Sequence, residues 1–355
     1  MNDKIFIIAG GTGGHIIPAL AIFNKLKERY KVYFICRRKD VGIVKQLEAI
    51  KENLIFFEAK GLKRKFALDN FISIAYIFYG MIKSLVLLIW YNPSLILTFG
   101  GYISFSFLLN SLILRKRFII FEQNSYPGVV NRLFGFFALK VFINFKFSEK
   151  FFKNSLCIGN PILERTTREV LEIESYKFFK FKKKLPVILV IGGSQGSVRI
   201  NEVFSLIVNR LKDFNIIWIT GERSYERFKK FGKLGKVLIY SYITDMGLVY
   251  RIVDVAVARA GAVTLTELAF WGIPAVLIPL QISAENHQLL NAKIIEAENG
   301  ALVIEEKDLN EEILYDSIMK VLENREKMSK GIKKFYIKGG VKKGIEFIDS
   351  VMKGE

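Results

Sequence analysis

The stretch Lys4-Ile-Phe-Ile-Ile-Ala-Gly-Gly-Thr-Gly-Gly-His15 decides the fold. Its first half is a short apolar run ended by glycine, which reads as a strand buried on both faces. Its second half is a turn with glycine at 10, 11, 13 and 14, where no Cβ keeps backbone N–H groups away from an incoming group. Ile16 to Lys27 follows with helical periodicity, so a helix N-terminus points at the same spot. An anion fits there, most simply a phosphate. The same order of parts returns in Val187-Ile-Leu-Val-Ile-Gly-Gly-Ser-Gln-Gly-Ser197. The chain therefore predicts two similar halves.

Strands and helices alternate around these two anchors. In the first half, Lys31 to Cys36, Leu54 to Glu58, Leu95 to Thr98 and Arg117 to Glu122 are short apolar runs separated by helix-length segments. In the second half the runs are Asn215 to Thr220, Val237 to Tyr240, Val253 to Ala258 and Ala275 to Pro279. That alternation predicts an α/β protein of two Rossmann-like, doubly wound parallel-sheet domains facing a cleft lined by the carboxyl ends of the strands. At 355 residues the chain suits two domains of about 150 to 180 residues rather than one core. The break is expected after Gly159-Asn160-Pro161, giving domains 1–161 and 162–340.

Composition bounds the function. With 51% hydrophobic residues the chain is globular. Cys36 and Cys157 stand far apart, and no CxxC or Cys/His cluster offers a zinc site. No basic leader and apolar core precede the first strand, so a reducing cytoplasm is expected. The charge is strongly positive, with 53 basic against 34 acidic residues for a net +19. Such a surplus draws anionic partners, although lysine-rich surfaces also arise without one. Its placement points to lipid rather than nucleic acid: Lys60, Lys63, Arg64 and Lys65 precede the most apolar segment, and Arg115, Lys116 and Arg117 follow another. No groove-reading motif or stacking aromatics among the charges suit a nucleic acid.

The apolar segment Phe71 to Tyr91 has the length of a membrane span. Lys83 near its middle argues against spanning, because a central lysine costs roughly 2.5 to 3.5 kcal/mol on insertion scales. Asn92-Pro93 then leads into another strand and glycine turn, Leu95 to Gly101. A helix between two strands is expected, with surplus Phe71, Phe78 and Trp90 exposed as a peripheral membrane patch.

The densest constellation runs from Arg259 to Pro279: a strand end, a small-residue turn, a helix opening and the next strand. Ala260, Gly261 and Ala262 let a diphosphate approach the helix N-terminus, Thr264 and Thr266 carry hydroxyls, and Glu267 can accept two hydrogen bonds from a ribose diol. A capping carboxylate on the helix dipole is the plain structural alternative for Glu267. Downstream, Asn286, His287, Gln288 and Asn291 gather groups able to read sugar hydroxyls. A dinucleotide oxidoreductase would place Asp or Glu at the end of the second strand, where Cys36-Arg37-Arg38 stands.

Seven separated motifs together resemble the MurG family of peptidoglycan glycosyltransferases nearly end to end. They are 10–15, Phe121 to Gly128 with Asn131-Arg132, 159–161, Gly192 to Gly196, Asp245-Met246, Arg259 to Glu267, and His287-Gln288 through Asn291-Ala292. The resemblance implies a GT-B fold with an N-terminal acceptor and membrane domain, a C-terminal UDP-sugar domain, and a last helix, 341–355, packing back on the first domain. It implies inverting transfer of N-acetylglucosamine from UDP-N-acetylglucosamine to the 4-hydroxyl of the N-acetylmuramic acid of lipid I, making lipid II. The implied location is peripheral, on the cytoplasmic face of the bacterial inner membrane, with an anionic membrane surface and proteins of cell-wall synthesis as partners. Another UDP-sugar enzyme of the same fold, a lipid glycosyltransferase or a UDP-N-acetylglucosamine epimerase, is the alternative.

Carried over by position, the family's donor contacts fall on Thr12, Gly13, Gly14, Asn124, Arg165, Ser194, Ile243, Ala262, Val263, Thr264, Leu265, Thr266, Glu267 and Gln288. Arg165 departs from the pattern, since Ile162-Leu163-Glu164 put an offset between it and Gly-Asn-Pro. His15 is the expected general base, because an imidazole titrates near neutrality and the glycine turn exposes it. Glu122 is second in line for that role, with the orienting of neighbours as its other reading. No Asp-x-Asp pair accompanies the donor motifs, so transfer without a bound metal or other cofactor is expected.

Overall fold

The computed structural model describes residues 3–40, 50, 52–59, 69–181, 185–193, 195–234, 236–281 and 286–355. Lys60, Lys63, Arg64, Lys65, the side chain of Phe71 and Ser194 lie outside the described residues. The chain divides into two compact units, Met1–Pro161 with Lys338–Glu355, and Ile162–Ile337.

The first unit opens with β1 (Lys4–Ile8), α1 (Gly13–Leu26), β2 (Lys31–Cys36), β3 (Leu54–Phe56) and α2 (Asp69–Tyr91). It continues through β4 (Leu95–Thr98), α3 (Tyr102–Ile113), β5 (Phe118–Glu122), α4 (Val129–Phe134), β6 (Lys140–Ile143) and β7 (Ser155–Cys157). The seven strands are all parallel and run in the order β3-β2-β1-β4-β5-β6-β7. Central strands such as Phe118–Glu122 are buried at every residue, as continuous apolar runs must be when helices cover both faces. Phe6, Ile8, Ile96, Phe107 and Ile120 join Phe57 and Leu88 in one core cluster.

The second unit holds α5 (Glu164–Thr167), α6 (Glu172–Phe179), β8 (Val187–Ile191), α7 (Val198–Ile207), β9 (Asn215–Ile219), α8 (Glu222–Phe228), β10 (Val237–Tyr240) and α9 (Met246–Tyr250). It closes with β11 (Val255–Ala258), α10 (Ala262–Trp271), β12 (Ala275–Leu277), α11 (His287–Ala297), β13 (Ala301–Val303), α12 (Glu311–Glu323) and α13 (Arg325–Lys333). Its parallel strands run β10-β9-β8-β11-β12-β13. Trp218 is fully buried in its core beside Phe204 and Phe228, and its Nε1–H donates to Asn201 Oδ1 at 2.8 Å, so the polar edge of the ring is satisfied. Local sequence sets the helix ends. Asn310 caps α12 by accepting from Ile313 N, with Glu311 and Glu312 in the first turn, and Gly272 stops α10 at φ +71°.

The last helix, α14 (Gly340–Lys353), belongs to the first unit. Asp349 takes the Tyr30 hydroxyl at 2.9 Å and pairs with Arg29, Arg117 Nη1 donates to Val351 O at 2.9 Å, and Phe347 meets Phe142 edge-on. Gly344 lets the helix come close, since a Cβ there would sit 3.0 Å from Ile158.

Helix α2 packs on α3, burying Gly80, Ser84 and Leu88, with Asn110 Nδ2 donating to Ser84 Oγ and Met81 O at 2.7 Å. Its other face leaves Phe78 63%, Ile82 65% and Trp90 80% exposed. Lys83 does not stand free on the helix: its Nζ donates to Phe56 O at 2.9 Å and lies over the Phe57 and Tyr79 rings. Among the described residues, no helix is long and apolar enough to cross a membrane.

Candidate active site

In an open parallel sheet the strand order reverses at one point, and the loops leaving the two flanking strands part there to form a crevice. The first sheet reverses between β1 and β4, the second between β8 and β11. Every glycine-rich motif singled out in the sequence lies at one of these two points or beside it.

At the first point the β1 turn and the β4 turn touch. Gly101 has φ +84°, and a Cβ on it would fall 2.6 Å from Gly10 O. No other residue type fits that approach. His15 sits in the first turn of α1, with Nδ1 3.1 Å from Gly10 O. A carbonyl oxygen only accepts, so Nδ1 carries the proton and Nε2 is the basic nitrogen of the neutral ring. Nε2 lies over the β4 turn, where a Cβ on Gly100 would approach it to 3.3 Å and Asn131 Nδ2 to 3.7 Å. Thr12, Gly13 and Gly14 form the start of α1, with Thr12 extended as the N-cap residue and making no side-chain cap.

Asp40 was not foreseen. It is fully buried, and its Oδ2 accepts from Gly11 N and Arg37 N at 3.2 Å while Arg37 Nε and Nη2 pair with both oxygens. The second strand thus does have a carboxylate just beyond its end, but the carboxylate is spent on the glycine turn and on Arg37.

Glu122 ends β5, is 3% exposed, and has both oxygens engaged: Oε1 by Asn124 N at 2.9 Å, Oε2 by Gly128 N at 3.0 Å and Asn131 Nδ2 at 2.8 Å. Burial pushes its pKa up against the pull of those donors. This arrangement suits the orienting reading, in which Glu122 shapes the 123–128 loop and holds the Asn131 amide. The Asn124 carbonyl is held in turn by Ser148 Oγ at 3.0 Å.

At the second point β8 leads into Gly192 and Gly193, and β11 leads into Arg259, Ala260 and Gly261 before α10. Gly193 and Gly196 have φ of +84° and +76°, and a Cβ on Gly196 would strike Thr220 O at 2.2 Å. Arg259 is 7% exposed and donates to Ile278 O, Pro279 O, Ser197 Oγ and Glu306 Oε1, so it braces the strand ends. Asn291 does the same from α11, donating to Ala260 O at 3.2 Å.

The opening of α10 holds Ala262, Val263, Thr264, Leu265, Thr266 and Glu267. Val263 and Leu265 are buried, which leaves their backbone as what they offer a ligand. Thr266 differs from the expectation: it is 1% exposed and its hydroxyl donates to Ala262 O at 2.8 Å, a bond inside the helix. Thr264 is the half-buried one of the pair. Glu267 is 8% exposed, its Oε2 accepts from the Tyr250 hydroxyl at 2.9 Å, and burial pushes its pKa up to about 7, with the Tyr250 hydrogen bond and the Arg165 charge pulling back. Arg165 on α5 is thus brought into electrostatic reach of Glu267 despite its offset in the sequence, and its Nε is buried with no hydrogen-bond partner among the described residues. Ile243 lies half-buried in the loop before α9, and Gln288 Oε1 accepts from Leu280 N at 3.0 Å, which turns its amide nitrogen into the group on offer. Among the described residues, no group of three His, Cys, Asp or Glu side chains is placed to hold a metal ion.

Two doubly wound parallel sheets, each with a glycine-built switch point, give the protein the GT-B class of architecture. Residues 5–143 match the glycosyltransferase family 28 N-terminal domain and residues 187–346 match the family 28 C-terminal domain. The chain belongs to glycosyltransferase family 28. It is 34% identical to the UDP-N-acetylglucosamine–N-acetylmuramyl-(pentapeptide) pyrophosphoryl-undecaprenol N-acetylglucosamine transferase of Acetivibrio thermocellus, over 99% of both chains. The enzyme of the same name from Aquifex aeolicus is also 34% identical, over 94% of this chain and 96% of its own. Among solved structures, Acinetobacter baumannii MurG superposes with a TM-score of 0.76 at 21% identity, over 98% and 99% of the two chains. A UDP-GlcNAc 2-epimerase from Neisseria meningitidis shares the fold at a TM-score of 0.68 and 13% identity, over 97% and 99%.

Proposed function

We propose that the protein transfers N-acetylglucosamine from UDP-N-acetylglucosamine to the 4-hydroxyl of the N-acetylmuramic acid of lipid I, with inversion at the anomeric carbon. The observation that carries this reading is the 34% identity to transferases of that name over 99% of both chains. The site chemistry supports it. As the acceptor oxygen bonds to the anomeric carbon and the bond to the diphosphate breaks, the hydroxyl proton passes to His15 Nε2 and UDP departs with the electron pair. Charge growing on the diphosphate needs N–H donors fixed in advance, and the Gly261 to Thr264 backbone at the start of α10 supplies them. Glu267 receives the ribose diol, the loop at Ile243 meets the uracil through its backbone, and Gln288 reads the sugar. Ser194, Thr12, Gly13, Gly14, Asn124 and Arg165 complete the proposed donor contacts.

The proposal assigns the lipid acceptor to the first unit. Phe78, Ile82 and Trp90 on α2 expose apolar surface, and Lys116 reaches the residue just past this helix, its Nζ donating to Asn92 Oδ1, a combination that suits a helix lying in a headgroup layer. The protein then works as a peripheral enzyme on an anionic membrane, at the cytoplasmic face.

Incubating the protein with radiolabelled UDP-N-acetylglucosamine and a lipid I analogue should give a labelled lipid product. Release of free sugar without transfer would favour an epimerase or hydrolase and overturn the reading. Sedimentation with anionic vesicles tests the membrane half: replacing Phe78 and Trp90 by serine should weaken binding by about tenfold or more, on about 25 cal/mol per Å² of apolar surface. Unchanged binding would return that face to a structural role.

A further inference from the structure

Three short elements of the second unit, α5, α9 and α10, are tied to one another along the length of α10. Trp271 Nε1 donates to Thr166 O at 2.9 Å, tying α10 to α5. Gly247 brings α9 onto α5, where a Cβ would meet Arg165 O at 2.7 Å. The third tie is the Tyr250 hydroxyl on Glu267 Oε2. Tyr250 is 2% exposed and the last residue of α9, and its phenol has no hydrogen-bond partner but Glu267 among the described residues.

We propose that Tyr250 is a positioning residue for the donor nucleotide: its hydroxyl fixes the Glu267 carboxylate so that Oε1 and the second lone pair of Oε2 meet the two ribose hydroxyls. This rests on the reading of Glu267 as the ribose partner. A carboxylate has about four lone-pair sites, so one bond from Tyr250 leaves room for two from a diol. Without that bond the carboxyl group, on two rotatable carbons, has no partner to hold its plane, and ribose binding has to order it. Burial keeps the phenol protonated, since the Tyr250 pKa is raised well above its ordinary value, so it donates across the physiological range. The charged or titratable groups acting on Glu267 are Tyr250 from α9 and Arg165 from α5, and α10 carries no other ionisable side chain. Both lower the Glu267 pKa, so both favour the ionised form that accepts from the diol.

The test is calorimetric binding of UDP and of 2′-deoxy-UDP at pH 7.5 to the wild type and to Tyr250→Phe, with donor KM and kcat measured in parallel. The wild type should prefer UDP. Tyr250→Phe should lose about tenfold in UDP affinity, the scale of a hydrogen bond to a charged group, and much less for 2′-deoxy-UDP. Donor KM should rise while kcat at saturating donor stays near the wild-type value. Equal losses for both nucleotides would mean a merely structural tyrosine and would overturn the proposal, as would an unchanged preference. A wild type that fails to discriminate the two nucleotides would instead overturn the ribose reading of Glu267. Should Tyr250→Phe melt below the assay temperature, Glu267→Asp serves: its shorter arm keeps the charge but gives up the 2.9 Å contact. Its preference for UDP should collapse, and a retained preference overturns the proposal.

Discussion

The turn from Gly10 to His15 leaves β1 and the turn from Arg259 to Glu267 leaves β11, so they border the switch points of their sheets from opposite sides, and they are built in opposite ways. The first is locked directly at its backbone groups. Gly11 at φ +108° is fixed by Asp40, Gly101 presses on Gly10 O, and the histidine ring is held by the same carbonyl. The second is open at its glycine. Gly261 has an ordinary φ of −72° and nothing within 4 Å of a Cβ placed on it, and its order comes from side chains behind it, Arg259, Asn291 and Tyr250. On the roles proposed here, a group that moves a proton must keep one nitrogen aimed, which a rigid scaffold serves. On the same proposal, a turn that receives a diphosphate must keep room, which bracing from the far side leaves.

The sharpest way to break this comparison is His15→Ala. With the imidazole gone, kcat should fall by about 10²- to 10⁴-fold, while UDP affinity changes little. Turnover near the wild-type level would show that the first turn only positions. A smaller effect separates the second turn. Glu267 titrates near 7 against an ordinary 4.5, so between those values the folded state binds a proton that the unfolded state has released. Stability contributed by this group is full below the ordinary value, declines as pH rises through the window from 4.5 to about 7, and is flat above. The loss above pH 7 is about 3 kcal/mol by linkage. Glu267→Gln carries no charge to bury, so the ligand-free protein should gain in Tm at pH 8 and hardly at pH 4.5, while its UDP affinity drops. Equal melting shifts at both pH values would show that Glu267 is better solvated than its burial implies.

Much of this was legible beforehand because the central strands are continuous apolar runs and the glycine turns follow them directly. Lys31 to Cys36 and Leu95 to Thr98 were read with the bounds the structure has. Strands β6, β7 and β13 escaped. They are three or four residues long, two of them form outer edges of their sheets, and too few residues alternate or run apolar to outweigh the loops around them. β11 begins at Val255, not Val253, because Asp254 turns its carboxylate to Val187 N at 2.7 Å and to Arg325. In the site, residue type and spacing were enough to single out His15 and Glu267 as candidates. Their supports were not: Asp40 lies 29 residues from Gly11, and Tyr250 lies 17 from Glu267. A sequence displays what a side chain can do, whereas the buried partner that satisfies it is a property of packing.

The finest test of the contrast is a matched pair of alanines. Gly11→Ala meets no nearer atom than 3.8 Å, so its cost is backbone strain alone at φ +108°, about 1 kcal/mol of stability. Gly261→Ala meets neither strain nor neighbour, and its stability should stay within about 0.5 kcal/mol of the wild type, an alanine at an N-cap position offsetting its stiffer unfolded chain. Function should invert that order. On the proposed donor site the methyl on residue 261 stands where the diphosphate approaches the N–H groups of α10, so UDP affinity should fall although the fold is untouched. Thermal melts and nucleotide titrations on the two variants measure both quantities. If Gly261→Ala binds UDP like the wild type, the space at that glycine is not the diphosphate's, and the roles given to the two turns have to be redrawn.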